Sequence, residues 1–285
     1  MDQQRLVGLV YNAMVPEARK LVESFRGSLG LTGRSWLSTA EPIAVGDDLL
    51  SRTEAIITAG GDGTILRAVR VAAPHSIPIL GINLGRVGFM TEISVAEAAD
   101  RIPAYLEGAH RVEVRMMLQA LVIGDSGEPN IQVHALNDVV VSRGAVPRLL
   151  DIDVRVSGVP LTTYRADGVI VSTATGSTGY ALAAGGPTLY PEAREILIQP
   201  VATHMGLQTG LIVPEDSVVE LTVHADDDAG LSVDSFTDAS LSHGDRVVVQ
   251  CSPYEARFLR AGPPSDFYRT VTQRFGILDR PAGNR

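Results

Sequence analysis

Cysteine, lysine and aromatic residues are nearly missing from this 285-residue chain, and each shortage removes a class of protein. One cysteine, Cys251, rules out an internal disulfide framework and a multi-cysteine zinc site. Lys20 is the only lysine among 24 basic residues. The Walker phosphate loop needs a lysine beside a glycine-rich turn, and protein kinases need one on a strand. Lys20 lies in neither context, so any handling of phosphate falls to backbone amides, arginines and a metal. No apolar run approaches the length of a membrane-spanning helix. The first residues, Met1-Asp2-Gln3-Gln4-Arg5, lack a basic start, and the apolar run after them is broken by Asn12 and Pro16. No secretory leader is expected, and a cytoplasmic location fits. The formal net charge of −9 argues against a nucleic-acid partner, which would need a basic face.

What is present is apolar material: 45% of residues are hydrophobic, enough for one large or two medium domains. Strand and helix signals alternate at first. Residues 6–11, 55–59 and 77–82 read as short buried strands, and residues 15–27 show helical spacing. A second helical pattern starts at Ile65 and stops at Pro74, and Ser94 caps a third running to Leu106. That alternation predicts a Rossmann-like α/β domain with a parallel sheet over residues 1–108. From 109 to 261 the texture is β: runs at 112–123, 131–142, 150–157, 161–172, 211–225 and 246–251 are separated by turn signals. An all-β second domain is predicted there. The tail, 262–285, carries Phe267, Tyr268, Val271 and Phe275 on one helical face and is expected to pack back on the first domain. Asp226-Asp227-Asp228 reads as a solvated turn.

The sharpest motif is Gly60-Gly61-Asp62-Gly63-Thr64 at a strand-to-helix junction. Glycines let a ligand approach the main chain, and the helix start offers unpaired amides and a positive dipole end to phosphate. A carboxylate there can hold Mg²⁺ or take a proton from an attacking hydroxyl. The plain alternative is a tight turn with Asp62 or Thr64 as a helix cap. The second motif follows Asp167-Gly168: Ser172-Thr173-Ala174-Thr175-Gly176-Ser177-Thr178-Gly179-Tyr180, a loop dense in hydroxyls that can bind ribose or amide groups, with Tyr180 as a face for a base. Leu136-Asn137-Asp138-Val139 sets two polar side chains inside an apolar run, where a bulge or a solvent-facing alternation is an equal reading. Gly81-Ile82-Asn83-Leu84-Gly85-Arg86-Val87-Gly88-Phe89 lacks the glycine spacing of the dinucleotide fingerprint. His75, His110, His134, His204, His224 and His243 are scattered, with no short metal spacing. A Gly-x-Ser-x-Gly elbow is absent.

Taken together, residues 60–64, 81–89, 136–138, 165–180 and 247–260 resemble the NAD kinase family, over almost the whole chain and in order. The glycine-aspartate block alone also occurs in lipid kinases and phosphofructokinases; the hydroxyl-rich block with Leu136-Asn137-Asp138 is the more specific signal. The resemblance implies an α/β domain, a β-rich domain and a site between them. It also implies transfer of phosphate from ATP, or in some members polyphosphate, to the 2′-hydroxyl of the adenosine ribose of NAD, with Mg²⁺. On that footing Asp62 is the catalytic base, and Gly61 and Gly63 line the phosphates. Phe89 lies beside adenine, Asn137 and Asp138 bind the nucleoside, and Arg165 joins the dinucleotide contacts. Asp167 faces the nicotinamide half, while Thr175, Thr178 and Tyr180 line the remainder. A homo-oligomer whose sites include a neighbouring subunit is implied too. The chain departs from the family pattern at Asp138, commonly Glu, at Ala174 and Gly179, commonly Pro and Ala, and through 205–210, although His204 remains. The rival readings are a lipid or other small-molecule kinase, disfavoured by the lack of an amphipathic basic helix, and a dinucleotide sensor without turnover.

Overall fold

The computed structural model describes residues 5–85, 88–124, 127–144, 148–224 and 229–274, with the backbone alone at 237 and 238. Arg86, Asp125 and Ser126, the Asp226-Asp227-Asp228 run and Phe275 lie outside the described residues. Two compact units emerge: Met1–Glu113 with Arg257–Arg285, and Val114–Ala256.

In the first unit, strands β1 (Leu6–Tyr11), β2 (Ser35–Thr39), β3 (Thr53–Gly60) and β4 (Ile79–Asn83) pair in parallel in the order β2-β1-β3-β4. A short β5 (Ile93–Ser94) adds to β4, and Phe258 pairs with Ile79 in the returning segment. Helices α1 (Pro16–Ser28), α2 (Asp47–Leu50), α3 (Asp62–Ala72) and α4 (Val95–Leu106) connect them. The parallel, helix-connected sheet is the α/β architecture that the alternation predicts. Strand β3 is buried from Ala55 to Gly60, which is why residues 55–59 read as an unbroken apolar run. Ala18, Val22 and Phe25 of α1 and Ala98, Ile102 and Tyr105 of α4 recur at helical spacing and close over Val7, Leu9, Ile57, Leu80 and Ile82. Ser94 caps α4 through a reciprocal box with Glu97, whose carboxyl is held below its usual range by the Ser94 side chain and amide and by Arg101.

Within this unit Arg260 is 7% exposed, so its charge needs partners. It donates to Glu113 (3.2 and 3.1 Å), Glu92 (3.1 Å) and the carbonyl oxygen of Met90 (3.0 Å). Glu92 also accepts from the Tyr105 hydroxyl at 2.8 Å and the Ala261 amide at 2.9 Å. Burial opposes the Arg260 charge, but the two glutamates outweigh it, and its pKa stays above the ordinary value.

The second unit is antiparallel. One sheet runs β7 (Pro129–Ala135), β6 (Arg111–Ile123), β17 (Arg246–Arg260), β14 (Val219–His224), β9 (Leu150–Val156) and β10 (Val159–Ala166). The other runs β13 (Leu211–Pro214), β12 (Glu195–Val201), β11 (Gly168–Thr173), β8 (Asp138–Arg143), β15 (Ala229–Val233) and β16 (Phe236–Leu241). Val139, Val141, Val169, Val171, Ile196 and Ile198 face the first sheet's Leu118, Ile152, Val154, Leu221 and Val247 in one core. The alternate residues Val140, Ile170 and Leu197 face outward beneath Ala181 of the one-turn helix α5 (Tyr180–Ala183). The second sheet is therefore buried on both faces, and its apolar runs hide where strands end. Residues 131–142, read as one strand, are β7 and β8, split at Leu136 and Asn137; residues 161–172 are β10 and β11, split at Asp167. Strands β2, β5, β12, β15 and β16 fall outside the runs that the sequence marks as strands. The terminal helix, Asp266–Arg274, forms in the tail, but none of its residues is buried. Among the described residues no helix is long and apolar enough to cross a membrane.

Replacing Arg260 with Met leaves Glu92 and Glu113 without a cation they now share. The expected loss is about 3–5 kcal/mol of unfolding free energy. Urea denaturation of Arg260→Met against wild type measures it, and a loss under about 1 kcal/mol contradicts the reading.

Candidate nucleotide and catalytic site

In the first unit the chain leaves β3 at Gly60, and Gly61 caps α3 in an extended conformation. Asp62 is thus the first residue of the helix, where the dipole favours a negative charge. Its side chain is not the helix cap. One carboxylate oxygen accepts the Phe89 amide at 3.0 Å and the other accepts the Met90 amide at 3.1 Å. Such charge-assisted bonds are worth about 1.5–3 kcal/mol each, so Asp62 and the loop at Phe89 fix one another. Gly88 has to be glycine for this, because a Cβ there would stand 2.0 Å from Asp62 Oδ1. The loop is closed further by the Gly88 amide on Thr91 Oγ1 (3.0 Å) and by Asn83, whose side chain brackets Gly85. Gly61 has open space around it, and Gly63 meets only the Arg67 side chain at 3.6 Å. Gly61, Asp62, Gly63 and Phe89 therefore belong to one cluster. Asp62 keeps one lone pair on each oxygen beyond those the amides use.

In the second unit the Asn137-Asp138 break is held by a carboxylate that the sequence reading missed. Asp234, 2% exposed, accepts the backbone amides of Leu136 (2.9 Å), Asn137 (2.6 Å) and Asp138 (3.3 Å). Asp234 and Ser235 both have positive φ, 52° and 69°, as a two-residue turn between β15 and β16 requires. The available signal was that dipeptide turn, but Asp-Ser is weaker than Asn-Gly, and β15 was not recognised.

The hydroxyl-rich loop packs against the same break. Thr173 Oγ1 donates to the Leu136 carbonyl at 2.6 Å, and Ser172 Oγ to the Asn137 carbonyl at 3.0 Å. Ser177 Oγ donates to Ala174 O at 2.6 Å and accepts the Leu189 amide at 2.9 Å; Thr178 Oγ1 donates to Thr175 O at 3.1 Å. Most of these hydroxyls hold the loop's own shape. Thr175 Oγ1 is different: it is buried and has no hydrogen-bond partner among the described residues. Gly176 lies so close to Asn137 that a Cβ would meet its carbonyl oxygen at 2.1 Å. Positions for a Cβ on Gly179 fall 3.8 Å from Asp138 Oδ2 and 3.9 Å from Asn137 Nδ2, so both side chains point toward the loop. Tyr180 follows with its ring 46% exposed.

Arg165 and Asp167 are not part of that cluster. Strand β11 is paired so that Gly168 lies opposite Ser142 and Ser172 opposite Asp138. Asp167 therefore sits at the far end of β11, about 17 Å of extended strand from Ser172. There Asp167 accepts Arg143 Nε at 2.7 Å, and the Arg165 amide donates to the Met205 carbonyl at 3.0 Å. The divergent 205–210 segment starts at this bridge, with Met205 and Leu207 exposed.

Asp138 is 4% exposed, and burial first, then the Asp234 charge, push its pKa up to about 7 from 3.8. A raised folded-state pKa means the folded form gains protonation below neutrality: the stabilising contribution is complete below pH 3.8 and lost as pH rises through about 7. Asp138→Asn is neutral at every pH, so its melting temperature relative to wild type should climb between pH 5 and pH 8. A flat difference across that interval contradicts a buried, strained carboxylate.

Similarity to known proteins points to one family. Residues 43–110 match the family model described as the ATP-NAD kinase N-terminal domain, and residues 136–261 match the ATP-NAD kinase C-terminal domain. The chain is 38% identical over 264 residues to an NAD kinase of Dehalococcoides mccartyi, covering 92% of this chain and 93% of the relative. A structure of an NAD kinase from Archaeoglobus fulgidus in complex with ATP is 26% identical, with a TM-score of 0.73 and coverage of 96% and 98%. Yeast NADH kinase complexed with NADH shares the fold, with a TM-score of 0.88 at 24% identity, covering 100% of this chain and 91% of the yeast one. With both domain models matched in order and a relative of that identity aligned along nearly its whole length, this chain belongs to the NAD kinase family.

Proposed function

We propose that this chain transfers a phosphoryl group from ATP to the 2′-hydroxyl of the adenosine ribose of NAD, giving NADP, with Asp62 as the base. The observation that carries this reading is the carboxylate of Asp62, fixed at the head of α3 by the Phe89 and Met90 amides. A base that needs no reorganisation suits a reaction in which positioning supplies most of the rate. Gly61 and Gly63 let phosphate approach the backbone, and Phe89 lies beside the adenine. Asn137 and Asp138 bind the nucleoside, and Thr175, Thr178 and Tyr180 line the dinucleotide. The buried, unpaired Thr175 hydroxyl supports a ligand contact there.

Mg²⁺ fits this donor set as a companion of the triphosphate. Among the described residues no group of three His, Cys, Asp or Glu side chains is arranged to hold a metal. Mg²⁺ is commonly bound by one or two carboxylates plus substrate phosphates, and Asp62 has the lone pairs to contribute. The ion would neutralise phosphate oxygens. Kinship with NAD kinases supports ATP as donor; polyphosphate is the donor to try beside it. The single cysteine, Cys251, supports a reducing, cytoplasmic site of action.

Arg165 and Asp167 serve the nicotinamide half in the site of a second copy of the chain. Their separation from Asp138 and Thr175 along β11 supports that assignment. The enzyme is accordingly read as a homo-oligomer.

NADP formation from NAD, ATP and Mg²⁺ tests the reaction. Asp62→Asn should abolish turnover while NAD binding, followed by calorimetry, persists; wild-type-like activity in that variant removes Asp62 from the chemistry. For the shared site, Asp62→Asn and Asp167→Asn co-expressed as one assembly should recover activity that neither variant has alone. No recovery from a mixed assembly argues for a site complete within one chain.

A further inference from the structure

The terminal helix ends beside Asp62. Arg274 is 3.7 Å from Asp62 Oδ2 through Nη2, and its guanidinium carbon stands 4.9 Å from the centre of the Phe89 ring. Neither contact is needed to satisfy Asp62, which already accepts two amides. At 3.7 Å the pair is too long for a hydrogen bond. The side chain is 40% exposed, where an ion pair adds little, on the order of 0–1 kcal/mol. A cation over an aromatic face at such a site adds about 0.5–1 kcal/mol. The guanidinium is thus aimed at the carboxylate and loosely held there.

The other nearby cation is differently placed. Arg67, on α3, is engaged with Glu41 at 2.9 Å and with the Gly63 carbonyl at 3.2 Å. The sole lysine, Lys20, belongs to α1. A phosphoryl group reaching Asp62 carries charge that amides alone neutralise poorly, and arginine meets phosphate oxygens with a planar two-pronged donor.

Resting on the reaction proposed above, we infer that Arg274 is a further catalytic residue, whose guanidinium moves from Asp62 to the non-bridging oxygens of the transferred phosphoryl group. In that step the bond from the ribose oxygen to the γ-phosphorus forms and the bond to the bridging oxygen of the nucleoside triphosphate breaks. The electron pair leaves with the diphosphate, and the hydroxyl proton passes to Asp62. Arg274 gains charge-assisted bonds as negative charge gathers on the oxygens, and Phe89 fixes the plane from which it departs.

Steady-state kinetics of the full chain test this with Arg274→Gln and Arg274→Lys. Arg274→Gln should lower kcat about 10²- to 10³-fold, with the KM for NAD little changed and the thermal melt as in wild type. Arg274→Lys, which keeps the charge but not the fork, should fall between the two. A wild-type kcat in Arg274→Gln makes the contact a surface pair and overturns the inference. So does a faster enzyme, since the guanidinium then shields Asp62. If Arg274→Gln does not fold, Arg274→Lys decides: a kcat reduced about tenfold supports the role and an unchanged kcat overturns it. A wild-type chain that forms no NADP refutes the proposed reaction instead, so the two failures are distinguishable.

Discussion

Met90 is gripped from both sides of its peptide: its amide donates to Asp62 and its carbonyl accepts from Arg260. Those two bonds fix the peptide at Met90 in place. Asp62 alone would order the loop only as well as the loop ordered Asp62. Arg260 breaks that circularity, because it is itself buried and tied to Glu92 and Glu113. Glu92 in turn is fastened to Tyr105 on α4, whose hydroxyl is pushed to a higher pKa by burial and by Glu92. The position of the Asp62 carboxylate is therefore inherited from the core of the unit, through one chain of charged hydrogen bonds. Burying a cation between two anions contributes little net stability compared with an apolar filling. What it gives is a single geometry, which the base role proposed for Asp62 requires.

The second unit solves the same problem with the same device. Asp234 gathers the amides of Leu136, Asn137 and Asp138, as Asp62 gathers those of Phe89 and Met90. In both places a carboxylate replaces the missing strand partner of a turning backbone, and at Asp62 Gly88 leaves room for the approach. The difference lies in the side chains left over. Asp62 accepts two amides, whereas burial first, and then the Asp234 charge, disfavour the charged form of Asp138. The second site thus presses a carboxyl group toward its neutral, hydrogen-donating form.

Those anchors explain what could be read from the chain and what could not. Strand β1 and helix α4 were legible because their patterns are local: an apolar run of six residues, and a serine three positions before a glutamate. The glycine-aspartate block was legible because residue type and backbone demand coincide there. The break at Leu136-Asn137 was not, since it interrupts an apolar run without glycine or proline, and the group that enforces it lies far away in sequence. Asp234 is 98 positions from Leu136, and Arg260 is 170 from Met90. No periodicity carries such information. The resemblance to a family supplied the list of site residues, but not that Ser172, Thr173 and Ser177 are engaged chiefly in shaping their own loop.

An acidic chain proposed to act on a nucleoside triphosphate is less paradoxical in this light. Net charge governs the far field, while binding is decided within a few ångströms. The carboxylates nearest the glycine block are neutralised locally: Asp62 by amides and a helix dipole, Glu92 and Glu113 by Arg260. With one lysine in the chain, no flexible ammonium is at hand to follow a moving phosphate. In the proposed reaction the positive potential comes from backbone amides together with Arg274, whose guanidinium carbon stands 4.9 Å from the centre of the Phe89 ring. Fixed donors discriminate by geometry, because a phosphate misplaced by an ångström loses most of their field. The scarcity of lysine and the fixed Met90 peptide thus belong together: the amides at Asp62 are set by the fold, and the cation beside them is the Arg274 guanidinium.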